Sequence, residues 1–290
     1  MHGGSGMTVS KLVSGVVIGG LLLLLVALLL SGPHPSQELR NRTVCMSNLS
    51  GINKAIILYR SDNDNAFPWL NDKITAWDRT VVGTNRNVDP NGKLDDPNNP
   101  RPRSITALMF MLVRQDQDPG MFRCPSDTGA SMDQEVKAMK DDGDVAQGGY
   151  YWDFAKPENV SYSYQAPIWK DGRFQQGADS SKFDTVVIAD MTPAATNSQW
   201  KPADVSKRSG SAIEAQNSPN HKGKQVNILR VAGNVGAAKR PDVGIDEDSI
   251  YTASGDPNAG SRSATSLDIR KHLSPSDTFL IGPVGRSEGK

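Results

Sequence analysis

The chain has 290 residues, and its 32 basic residues are matched by 32 acidic ones. With no net charge and no basic cluster, the electrostatic footprint of a nucleic-acid binder is missing, and nucleic acid is not an expected partner. Hydrophobic residues make up 37% and are densest in the first thirty positions, while 27 Gly, 18 Pro and 6% aromatics imply a core linked by long irregular connections.

Residues 1–11 read as a flexible N-terminus. Beginning at Leu12 and ending at Leu30, the sequence LVSGVVIGGLLLLLVALLL carries no charge. Nineteen residues at 1.5 Å each give roughly 28 Å, close to the ~30 Å hydrocarbon thickness of a bilayer. Backbone groups in lipid must be paired within their own segment, so a transmembrane helix is expected there. The alternative is a cleaved secretory signal, whose apolar core usually runs about 7–15 residues; no small-x-small cleavage site is evident around Ser31-Gly32-Pro33. Either reading exports the rest of the chain. Lys11 precedes the segment and Arg40 and Arg42 follow it, so charge bias alone orients it weakly.

Pro33 and Pro35 interrupt the first helix, and a second is expected over 36–61. Cys45, Leu49, Ile52, Ile56 and Tyr59 recur at spacings of four, three, four and three, which lines one face of an amphipathic helix. This stem would pack on a sheet or on neighbouring subunits. Asp62-Asn63-Asp64-Asn65 ends it, because these side chains compete for backbone hydrogen bonds. Residues 83–103 read as a surface loop, 106–114 as a short buried helix and 141–149 as another loop. Strands are expected over 160–165, 185–189, 225–231, 249–252 and 278–281, with turn signals such as Asp171-Gly172 and Gly255-Asp256-Pro257 between them. Helix first, then short strands without alternating helices, argues for an α+β fold with an antiparallel sheet, so that 62–290 forms a β-rich globular part continuous with the stem.

The order of short motifs carries a resemblance. Arg42-Thr43-Val44-Cys45, then Asn48-Leu49, Ile52, Ala55 and Tyr59, then Phe67-Pro68-Trp69, resembles the stem of pilin-like proteins related to the type II secretion major pseudopilin. Cys124-Pro125-Ser126-Asp127, Tyr162-Ser163-Tyr164-Gln165 and Ile188-Ala189-Asp190 are similar to further segments of that group. Asn217-Ser218-Pro219-Asn220-His221, running into Ala232-Gly233-Asn234, resembles the prepilin-type processing-associated domain, named for a His, nine spaced residues and an Asp-Gly pair. The resemblance extends in scattered motifs from Gln37 to Pro283, and it departs from the family at two points. Ala232 stands where the family has Asp, one residue further from His221, and the stretch Gly6-Met7-Thr8-Val9-Ser10-Lys11 carries Lys11 where prepilin cleavage sites have an acid. These departures favour a stationary, uncleaved, anchored relative over a polymerising pilin.

Export and the motif match together let Cys45 and Cys124 form a disulfide; two separately buried thiols are the alternative. A bridge closing a loop of roughly 80 residues would stabilise by about 4 kcal/mol. Neither cysteine lies in a CxxC unit, so no zinc site or thioredoxin-like motif is expected. Calcium would need six to eight oxygens. Its possible donors are Asp62 and Asp64, or Asp89, Asn91 and Asp95, or Asp246, Glu247 and Asp248, and none fits an EF-hand loop. His221, in a turn before a strand, is read as bonding backbone, since the family's Asp is absent beside it; Gly233 is the other residue kept from that motif. His2, His34 and His272 lie in flanking or loop-like contexts, and the GxSxG pattern at 285–289 lacks its strand and helix.

The expected function is that of a membrane-anchored, pilin- or pseudopilin-like structural or assembly protein of the bacterial envelope, non-catalytic and without a cofactor. Its bulk would be periplasmic or extracellular, and the stem would mediate self-association or contact with envelope partners. The alternative is an anchored binding module for a glycan, peptide or ion. Such a module would use the loops 83–103 and 253–266 and the faces of Trp69, Trp77, Trp152, Trp169 or Trp200.

Overall fold

A computed structural model describes residues 6–30, 37–69, 104–131, 153–154, 156–205, 207–255 and 266–283. The chain divides into two compact units, Met1–Arg40 and Asn41–Lys290. The first contains helix α1 (Gly6–Leu30). Among the described residues no helix is long and apolar enough to cross a membrane. The side chains of α1 are described only over 13–26, so the expected span 12–30 extends past them at both ends.

The second unit is α+β with an antiparallel sheet, as the order of helix and strand patterns predicts. Its longer helices among the described residues are α2 (Gln37–Asp62), taken from Asn41 onward, and α3 (Ile105–Val113). Seven strands follow among the described residues: β1 (Tyr162–Gln165), β2 (Ile168–Lys170), β3 (Arg173–Gln175), β4 (Val186–Asp190), β5 (Val226–Arg230), β6 (Val235–Ala238) and β7 (Leu280–Ile281). Five of them form one sheet in the order β6-β5-β4-β1-β7, and β2 and β3 form a separate hairpin. Every pair is antiparallel.

The central strands of the sheet are buried on both faces, which explains why β4 (VVIAD) is closed to solvent along its whole length instead of alternating. One face, carrying Tyr162, Tyr164, Ile188 and Leu229, shares a core with Leu49, Ile52, Ala55, Ile56 and Tyr59 of α2 and with nearly all of α3. The other, carrying Val186, Ala189, Val226 and Ile228, packs on Ile250 and Tyr251. A register shift between Val186 and Ile188 re-aims the strand between these faces.

Several differences from the sequence reading have physical reasons. Residues 249–252 form a turn instead of a strand; their apolar pair Ile250-Tyr251 is buried as a plug against the sheet's second face. Three short strands lacked a usable pattern, namely β2 and β3, joined through Asp171-Gly172 with both residues at positive φ (52° and 73°), and the Gly/Ala-rich β6. The loops 83–103 and 141–149, residues 285–289, Trp77, Trp152, His2, His34, Asp89, Asn91 and Asp95 lie outside the described residues.

The stem stripe sits inside the unit's own core: Leu49 and Ile52 have no exposed surface and Ile56 has 2%. Those side chains are therefore enclosed within one copy and cannot also face a neighbouring subunit. Val44, Ile57 and Leu58 are the large apolar side chains that this helix exposes beyond Arg40.

Candidate functional site

Cys45 and Cys124 are joined by a disulfide, with Cα atoms 5.2 Å apart and 79 residues between them in sequence. Cys45 is the first residue of the α2 stripe. Cys124 is delivered by a single 3-10 turn, Pro119–Phe122, capped by the Asp118 carboxylate, which accepts from Gly120 N (2.9 Å). Asn48 of α2 donates to the Arg123 carbonyl (2.7 Å) and holds the two segments in register beside the bridge.

Two further groups converge on the sulfurs. Asp190 ends β4, and its side chain lies on the sheet face toward α2, opposite the Ala189 side. His221 arrives from a turn built by its own sequence. Ser218 N donates to Asn217 Oδ1 (3.0 Å), Asn220 N donates to Ser218 Oγ (3.2 Å), and Asn220 Nδ2 donates to the Ser161 carbonyl (2.8 Å). Three consecutive residues then take left-handed backbone: His221 at φ 55°, Lys222 at 59° and Gly223 at 72°. Such conformations cost non-glycine residues on the order of 1 kcal/mol each, and here they turn the imidazole inward. At Gly223 a Cβ would also stand 2.6 Å from the Glu214 carbonyl oxygen, so glycine is needed for space as well as for φ.

His221 Nε2 faces three groups. Asn227 Nδ2 of β5 lies at 2.9 Å, Asp190 Oδ2 at 3.5 Å and Cys124 Sγ at 3.6 Å. Asn227 Oδ1 already accepts from Gln225 Nε2 (2.7 Å), so its Nδ2 is the donor and His221 Nε2 the acceptor. Asp190 in turn accepts from Asn227 N (2.6 Å) and Asn220 Nδ2 (3.4 Å). Cys45, Cys124, Asp190 and His221 are all fully buried. Burial raises the Asp190 carboxyl to about 6, against the opposing pull of His221 and the Asn227 and Asn220 donors. The phenols of Tyr162 and Tyr251 are held well above their usual range by desolvation and, next, by the Asp190 charge.

Chemically, the bonded sulfurs cannot act as nucleophiles, and full burial keeps substrate from Asp190 and His221. In the oxidised state the arrangement ties α2, the segment after α3, β4, β5 and the His221 turn together through one polar cluster.

His221, expected in a turn before a strand, is a fully buried residue whose Nε2 faces side chains, the Asp190 carboxylate of β4 among them. Asp190 and Asn227 were not singled out as a pair, although an Asp closing an apolar strand is an informative pattern. Ala232 and Gly233 lie in the β5–β6 turn, where Gly233 has φ 87° and its carbonyl accepts from Asn53 Nδ2 of α2 (3.2 Å). His272, read as a loop residue, is buried; Nδ1 lies 3.1 Å from the Pro167 carbonyl and Nε2 2.8 Å from that of Asp277. Among the described residues, neither Asp62 with Asp64 nor Asp246 with Glu247 and Asp248 gathers three metal-ligating groups.

A separate cleft of about 830 Å³ lies beside Trp169, with Lys170, Gln175, Gln176 and Asp179 on its walls. Comparison with family models, with curated proteins and with solved structures yields no significant match for this chain.

Proposed function

We propose that the chain is a membrane-anchored, pilin-like structural or assembly protein of the bacterial envelope, with its α+β unit held outside the cytoplasm. The observation that carries this reading is the character of α1. Its large apolar side chains from Val13 to Val26 are all between 49% and 73% exposed, on every side of the helix. A helix without a polar face has no stable home in water; it needs lipid or other apolar helices around it. Gly15 and Gly19, four residues apart with nothing within 4 Å of their would-be Cβ positions, leave a shallow notch against which a second such helix can pack.

Two further observations support the reading. A buried disulfide is the usual equipment of exported domains. The stem, the Cys-Pro-Ser-Asp segment and the Asn-His turn also resemble, in their order, motifs of pilin-like proteins. The role is structural: α1 anchors, and the bridge and the Asp190–His221 cluster hold α2 on the sheet. The test is phase partition of the full chain in a cloud-point detergent, with Leu22→Arg/Leu24→Arg for comparison. Two arginines in a helix centre cost about 5–7 kcal/mol of insertion free energy. The native chain should enter the detergent phase and the variant should not; identical partition would contradict the anchor.

A second reading, an anchored binding module, is favoured by the Trp169 cleft. An indole edged by the Gln175 and Gln176 amides, with Lys170 and the carboxylates of Asp64, Asp171 and Asp179 around it, suits a sugar ring. Glycan-array binding that Trp169→Ala abolishes would support it over the first.

A further inference from the structure

We infer that the Cys45–Cys124 disulfide stands on a masked metal site: once reduced, Cys45, Cys124, His221 and Asp190 bind one thiophilic divalent cation of the zinc type. Thiolate sulfur, imidazole nitrogen and carboxylate oxygen are the donor kinds that zinc takes, and four of them complete a tetrahedral site. Here the four ligand atoms all lie within 4.8 Å of one another. Zinc bonds of about 2.0–2.3 Å place tetrahedral ligand atoms about 3.3–3.8 Å apart. Two of those edges are already present, His221 Nε2 to Cys124 Sγ at 3.6 Å and His221 Nε2 to Asp190 Oδ2 at 3.5 Å.

The surroundings of the four atoms also fit. All four residues are closed to solvent, so water does not compete for the coordination positions. The Asp190 carboxylate is held by the Asn227 backbone N–H on Oδ2 and by the Asn220 amide on Oδ1, the kind of outer partner that fixes a ligating carboxylate. His221 Nε2 presents its lone pair to the cluster and would exchange the Asn227 Nδ2 contact for the ion.

The exchange balances. A small dithiol reductant gives two electrons and two protons to the Cys45–Cys124 bond and closes to its own cyclic disulfide, leaving two protein thiols. The cation then replaces the two thiol protons, which are released, and takes the His221 lone pair and one Asp190 oxygen. The consequence is a staple with two forms. In an oxidising compartment α2 is bound to the segment after α3 by a covalent bond, and in a reducing one the same four residues would hold it through a metal.

The test uses the full chain, reduced with dithiothreitol, desalted without oxygen and titrated with Co²⁺ and then Zn²⁺. The expected result is one equivalent of cobalt with thiolate charge-transfer and intense tetrahedral visible bands. Zinc should displace the cobalt, and the oxidised chain should give neither signal. His221→Ala and Asp190→Asn should each weaken cobalt binding at least tenfold. A measurement that needs no variant accompanies these: zinc should protect both thiols of the reduced chain from alkylation. The inference is overturned if the reduced chain shows only weak, octahedral-type cobalt absorption, or if zinc leaves alkylation rates unchanged. Equal uptake by Cys45→Ser/Cys124→Ser would likewise place the ion elsewhere.

Discussion

Removing the bridge tests the energetic argument most fully. In Cys45→Ala/Cys124→Ala the unfolded chain regains the freedom of a loop of 79 residues. In the chain-entropy account that freedom is worth about 4.5 kcal/mol at 25 °C. Both side chains are fully buried in the core, so deleting two sulfurs adds roughly 1–2 kcal/mol for lost contacts and small voids. The total, about 6 kcal/mol, approaches the whole stability of many domains of this size. The assay is equilibrium urea unfolding followed by tryptophan fluorescence, comparing the oxidised native chain with the double variant. The midpoint should fall steeply, and the slope should rise as the denatured chain expands. A loss below about 1 kcal/mol would refute the reasoning, because it would mean that the bridge constrains little that is not already confined without it.

Other outcomes follow from single positions. Gly223→Ala should cost about 2–3 kcal/mol in the same assay, since φ is 72° and the new methyl meets the Glu214 carbonyl at 2.6 Å; an unchanged midpoint would show that the turn relaxes freely. Ile52→Asp should unfold the second unit, because it buries a charge at a position with no exposed surface, whereas Leu58→Asp, at a position 56% exposed, should leave stability nearly unchanged. Equal effects of the two would contradict the assigned faces of α2. The Asp190 carboxyl stands at about 6 in the fold against an ordinary value of 3.8, so the folded state holds a proton that the unfolded chain has released. Its contribution is fully present below about pH 4 and is lost as pH rises through about 6, so unfolding free energy should decline across that window. Asp190→Asn should flatten this decline, and a decline of the same size in the variant would assign it to another group.

The sequence disclosed most where one physical signal was strong. The α2 stripe was legible because Cys45, Leu49, Ile52, Ile56 and Tyr59 sit on one helical face, and all five are buried as a set. The apolar strands β1, β4, β5 and β7 were likewise visible as β-branched and aromatic runs. Residues 249–252 misled because Ile250 and Tyr251 have strand-like composition, yet their burial is satisfied by a turn packed on the sheet. The Asp190–His221 pairing could not be read from spacing, since 31 positions separate the two and only the antiparallel β4–β5 pairing brings them together. For His221 the sequence offered a turn, and turns ordinarily face water; three successive left-handed residues reverse that expectation by aiming the ring into the core.

The anchoring claim has a direct measurement in cells that make the full chain. Membranes are extracted with alkaline carbonate, and the thiols are alkylated before and after reduction. The account predicts that the chain stays in the membrane pellet and that Cys45 and Cys124 take up the reagent only after reduction. Release of the intact chain into the soluble fraction, with both cysteines alkylated at the first step, would contradict it.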